Sequence, residues 1–109
     1  MGFNLEYIYK VSNGDSEFMD ELWSIVKIEW PQELDLYRSS IKECHYIEAA
    51  GVVHKLKNKF VILGASEGYE LAKLHEKCLK EGSAEHHEGY NQVLIELTEF
   101  IKITKPRML

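Results

Sequence analysis

The sequence contains little that would break a helix or build a sheet. Only two prolines occur, Pro31 and Pro106, and the seven glycines fall mostly where apolar-periodic stretches stop. No apolar run approaches the roughly 20 residues needed to cross a bilayer, so no membrane span is expected. Cysteine is limited to Cys44 and Cys78, which form no CxxC pair. The opening MGFNLEYIYK has neither a basic start nor an apolar run, so no signal peptide is expected. Leu5 and Glu6 stand where an acylation signal would want Ser or Thr. Without an export signal the two thiols read as reduced, partly buried small hydrophobes of a cytoplasmic protein. Basic charge is not in excess: the net charge is −5 and no basic stripe is present, which argues against nucleic acid as the partner. Catalytic signatures are missing as well. There is no GxSxG, no glycine-rich phosphate loop and no GxGxxG, so no site for ATP is expected.

What is present is helical periodicity. The 109 residues suit one domain, 1–109, with a core over about residues 4–103. A short first helix is predicted from about Leu5 to Val11, capped by Asn4 and ended by SNGD. Asp15 or Ser16 opens a second, with Phe18, Leu22 and Ile25, joined by Val26 and Glu29, on its inner face and Trp23 and Trp30 on an adjoining stripe. Pro31 fits the first turn of a third segment carrying Leu34, Tyr37 and Ile41, and the junction is either a kink or a stop. A fourth helix runs from about Tyr46 to Leu63 and ends at Gly64. A fifth starts near Ser66, with Leu71, Leu74, Cys78 and Leu79 inward, and Gly82 is a left-handed stop. The last begins at Ser83, with Tyr90, Val93, Leu94, Leu97, Phe100 and Ile101 along its stripe, and Pro106 follows its end. The expected fold is all-α: an antiparallel four-helix bundle with the short N-terminal helix as a lid across one end.

The stretch VVHKLKNKFVILGA, residues 52–65, holds the candidate chemistry. With about 100° per residue and Leu56 at zero, Ala49, Val53, Phe60 and Leu63 fall within about 60° of it, whereas His54 comes out at about 160°. The histidine therefore faces away from the packed stripe. Around it lie Ile47, Ala50, Gly51, Asn58 and Val61, all between about 120° and 220°. Gly51 inside a helix costs roughly 1 kcal/mol against alanine, and helix packing alone gives no reason for small and apolar residues on an outer face. A second protein closing over an imidazole does. Lys57, three residues on, neighbours His54 on the helix surface. Two such cations side by side make sense where the ring carries an anion such as a phosphoryl group. Lys55 flanks the same face, and Lys59 borders the core stripe, where its stem packs and its ammonium reaches outward.

The other histidines carry less. His75 and Cys78, one turn apart, are too few for zinc, and His75 reads as a boundary residue. His86 and His87 are adjacent, about 100° apart on a helix, and do not share a metal easily. His45 reads as a cap or surface residue. No metal site is expected.

With these residues in view, VVHKLKNKFVILGA resembles the signature of histidine-containing phosphotransfer (HPt) domains, roughly H-x-L-K-G-S followed by a leucine-glycine pair. The matching positions are His54, Leu56, Lys57, Leu63 and Gly64. The flanking stretches GDSEFMDELWSIVKIEWPQELDLYRSSI and YELAKLHEKCLKEG also look like the family, so the resemblance spans about residues 4–103. Asn58 and Lys59 depart from it, standing where the family has small residues. The resemblance implies a stoichiometric phosphocarrier rather than an enzyme. His54 would accept a phosphoryl group from a receiver-domain aspartate and pass it to another receiver, with Lys57 offsetting phosphate charge. Ile47, Ala50, Gly51, Lys55, Asn58 and Val61 would form the docking face. No cofactor is implied, since Mg²⁺ belongs to the receiver. The implied partners are response-regulator receivers and a hybrid or other histidine kinase. The alternative is a helical-bundle module that binds or sequesters a receiver or kinase without carrying phosphate, which Asn58 and Lys59 favour.

Overall fold

A computed structural model describes residues 2–107. Among these residues the chain is all-helical, with five helices in the order α1 (Glu6–Ser12), α2 (Ser16–Lys42), α3 (Tyr46–Ile62), α4 (Ser66–Lys80) and α5 (His87–Ile103). No helix is long and apolar enough to cross a membrane. Helix ends follow local chemistry. Asn4 Oδ1 accepts from the Glu6 amide, and Asp15 Oδ1 accepts from the Phe18 amide at 3.0 Å, which satisfies one of the free donors at the start of α2. Asn13 and Cys44 take left-handed backbone in the first two connections, and Gly64 and Gly82 do so after α3 and α4.

α2 runs unbroken through Pro31. Its 27 residues, at about 1.5 Å each, span about 40 Å and set the 46 Å long axis of the molecule. An internal proline removes one helical hydrogen bond. Here Pro31 is exposed on the solvent side, while Trp30 and Leu34 on either side of it are buried. Trp30 is further fixed by donating Nε1–H to Thr98 Oγ1 on α5 at 2.9 Å.

The inner face of α2 keeps the expected Val26, Leu34 and Tyr37 but turns toward the tryptophan stripe in its first half. Phe18 and Ile25 are exposed, and Met19, Trp23, Val26, Trp30, Leu34 and Tyr37 are buried. Spacings of three and four residues sustain this second stripe over the whole helix, whereas the first runs out at Ile25. α4 departs in the same way. Leu74 is exposed, Leu71 and Cys78 are half-buried, and the covered face is Gly68, Ala72, His75, Glu76 and Leu79. Gly68 explains the choice. A Cβ there would lie 2.9 Å from Val93 and 3.2 Å from the Phe60 ring, so α4 approaches its neighbours through a residue with no side chain. α5 buries Tyr90, Val93, Leu94, Leu97 and Ile101 as expected, but its helix starts at His87 rather than Ser83.

α3 packs against both α4 and α2. Its core residues Val53, Leu56, Phe60 and the following Leu63 are fully buried, and Phe60 stacks on Tyr90 at 5.7 Å. Because two helices flank α3, its covered arc is wider than one apolar stripe. Ala50 on one flank is 1% exposed and Lys59 on the other is 8% exposed. α1 contacts α2 and α3, with Ile8 fully buried, and the Asn4 amide donates to Leu63 O at 3.0 Å.

Candidate functional site

His54 emerges from α3 with its side chain 67% exposed. A Cβ built on Gly51, one turn earlier, would meet nothing within 4 Å, so that side of the ring is open ground. Ile47 is 69% exposed and Val61 45%, and Lys55 and Asn58 are also exposed. Five of the six expected docking residues therefore lie at the surface. Ala50 does not. It turns into the core and is 1% exposed.

The inner side of the ring is held. His54 Nδ1 lies 3.2 Å from Glu76 Oε2. A carboxylate only accepts, so Nδ1 carries the proton, and in the neutral ring Nε2 keeps its lone pair. Glu76 itself is 8% exposed. It ties three partners together: Lys57 Nζ at 2.8 Å from Oε1, Lys80 Nζ at 3.1 Å from Oε2, and His54. The Lys57 contact is ionic rather than a well-angled hydrogen bond. Burial works to raise the Glu76 pKa, but the Lys57 and Lys80 ammoniums, with help from His54, outweigh it and hold the carboxyl below its usual range.

Lys57 is less free than the sequence suggested. Its side chain is 15% exposed, it pairs with Glu76, and its Nζ lies 5.9 Å from the centre of the Tyr69 ring. The cluster of Lys57, Lys80 and Glu76 carries a net single positive charge beside the imidazole. That pairing leaves the Glu76 carboxylate with cationic partners.

Lys59 corrects the sequence reading. It does not reach outward. Its ammonium bonds Glu29 and Glu33 on α2. Burial works against its charge, yet the two carboxylates prevail and raise its pKa. It adds no positive potential beside His54, because it leaves α3 on the opposite flank.

Leu56 is fully buried beneath the site. Gly64 has φ +68°, and a Cβ there would lie 2.5 Å from the Asn4 side chain. The turn that ends the motif thus needs glycine for its backbone and for its neighbour. Cys44 is exposed rather than partly buried, because it sits in the turn between α2 and α3.

Sequence reasoning missed Glu76 and Lys80. The signal was the covered face of α4: Gly68, Ala72, His75 and Leu79 recur at helical spacing but include only one large apolar side chain, so an apolar count selected Leu71 and Leu74 instead. His75 was missed too. It is fully buried, its Nε2 is 2.7 Å from Tyr37 Oη, and Tyr37 Oη is 2.7 Å from His87 Nδ1. Burial pushes the His75 pKa down to about 4, assisted by His87 and His86, and burial also lowers His87.

No family model, no curated protein and no solved structure matches this chain.

Proposed function

We propose that the chain is a histidine phosphotransfer module of a two-component phosphorelay, of the HPt type. On this reading α2 to α5 form an antiparallel four-helix bundle and α1 lies across one end as a lid. The observation that carries the proposal is the setting of His54: an exposed imidazole whose Nδ1 contacts a buried carboxylate. A reactive nucleophile needs the right tautomer and a fixed orientation, and Glu76 supplies both.

The reaction follows from these groups. A receiver domain docks over Ile47, Gly51, Lys55, Asn58 and Val61, bringing an aspartyl phosphate and its own Mg²⁺. The Nε2 lone pair attacks phosphorus in line. An N–P bond forms, the acyl-phosphate P–O bond breaks, and the electron pair leaves on the receiver's aspartate. The ring now bears phosphate on Nε2 and a proton on Nδ1, and is formally cationic. Glu76 offsets that charge, and Lys57 and Lys80, paired with Glu76, supply positive charge to offset that of the phosphoryl group. Transfer to a second receiver reverses the steps. The chain acts as a stoichiometric carrier in the cytoplasm, with a hybrid or other histidine kinase upstream, and needs no nucleotide or resident cofactor of its own.

The test is incubation with phosphorylated receivers from the same genome. Acid-labile, base-stable label on this chain, lost in His54→Gln, supports the carrier. A second reading, a module that binds a receiver without taking phosphate, is favoured by Asn58, whose side chain stands one turn from His54 on the exposed face. Tight receiver binding with no label in any pairing would select it.

A further inference from the structure

The connection between α4 and α5 gathers a second set of reactive groups, remote in role from His54. Cys78 is half-buried near the end of α4, and Glu85 and His86 lie in the segment that precedes α5. Cys78 Sγ is 3.6 Å from Glu85 Oε1, and Glu85 Oε1 is 4.0 Å from His86 Nε2. The three ligand atoms all lie within 4.8 Å of one another. The expectation of no metal rested on pairing Cys78 with His75, and His86 with His87. The fold breaks both pairs. His75 and His87 turn toward Tyr37, and Glu85 joins Cys78 and His86 instead.

The geometry points to a zinc-type divalent cation site formed by Cys78, Glu85 and His86. Tetrahedral zinc with bonds of about 2.3 Å to sulfur and about 2.1 Å to nitrogen or oxygen separates a sulfur from an oxygen ligand by about 3.6 Å, and a nitrogen from an oxygen ligand by about 3.4 Å. The observed sulfur–oxygen separation already fits, and rotation of the His86 side chain must bring its nitrogen from 4.0 Å to about 3.4 Å from the oxygen and, from within 4.8 Å, to about 3.6 Å from the sulfur. Thiolate plus imidazole is a borderline-soft donor pair, which favours zinc or cobalt(II) over magnesium or calcium. The carboxylate and thiolate together neutralise the dication. Three protein ligands leave the fourth position to water, so the site is open rather than closed. The ligands come from both sides of the turn at Gly82, so a bound ion fastens the start of α5 to the end of α4.

The full-length protein, stripped with chelator, is titrated with Co²⁺ and separately with Zn²⁺. The expected result is one equivalent of Co²⁺ with a thiolate-to-metal charge-transfer band and tetrahedral visible bands, displaced by Zn²⁺, and a higher melting temperature with zinc. Cys78→Ser removes the charge-transfer band, and His86→Gln weakens binding at least about tenfold. Cys44→Ser and His45→Gln leave both unchanged. Absence of a thiolate band in the wild type overturns the proposal without reference to any variant. Loss of binding in Cys44→Ser or His45→Gln, with Cys78→Ser unaffected, also overturns it, since the ion would then sit on the exposed turn around Cys44 and His45.

Discussion

Acidification tests the buried histidine cluster most sharply. His75 is fully buried, hydrogen-bonds Tyr37 through Nε2, and leaves Nδ1 without a partner. Its pKa falls from 6.5 to about 4 in the folded chain, with burial as the main cause. The sign follows from linkage. A histidine with a depressed folded pKa favours folding fully above the unfolded value, and that contribution is lost as pH falls from about 6.5 toward about 4. The full shift corresponds to about 3 kcal/mol. Water reaches the half-exposed His87 side of the cluster and screens part of the charge, so about 1–2 kcal/mol is expected between pH 7 and pH 5. Other groups titrate over the same range, so the measurement is a difference. Urea denaturation at pH 7, 6 and 5 is compared for wild type and His75→Gln, which keeps an amide near Tyr37 but does not titrate. The wild type should lose about 1–2 kcal/mol more than the variant over that interval. Parallel curves for the two proteins would refute the reasoning.

Other perturbations have equally definite outcomes. Phe60→Ala removes a fully buried ring packed on Trp30 and Tyr90, and should cost about 3–5 kcal/mol, seen as a lower melting temperature with His54 untouched. Lys59→Met leaves Glu29 and Glu33 facing each other without their cation and should cost about 3 kcal/mol; Lys59→Met combined with Glu33→Leu should recover most of it, and additive losses in a double-mutant cycle would contradict the ion-pair account. Lys57→Ala should shorten phosphohistidine lifetime or slow transfer while the helical circular dichroism stays as in wild type. Equal rates in the two would count against its assigned role.

Much of this architecture was legible before any coordinates. The α3 stripe through Val53, Leu56 and Phe60, its stop at Gly64 and the α5 stripe from Tyr90 to Ile101 all lie where periodicity placed them. So does the outward turn of His54, because a residue opposite a strong stripe has nowhere else to go. What periodicity does not carry is how many neighbours a helix has. α3 is flanked on two sides, which buried Ala50 and Lys59 and half-covered Lys57. Nor does an apolar count see a face made from Gly68, Ala72, His75 and Glu76. The carboxylate that orients His54 stands on that face, and a glutamate in the run EKC looks like any solvated charge until its helix is turned.

The imidazole of His54 and the carboxylate of Glu76 ride on different helices, so their contact is calibrated by a spacing rather than by either residue. That spacing is set where Gly68 lets α4 slide in beside Phe60. A side chain as small as alanine at Gly68 would act as a shim, and α4 would carry the displacement to Glu76, two turns or about 12 Å further on. Under the proposed function, the reactivity of His54 is therefore open to substitutions that touch neither the imidazole nor anything bonded to it.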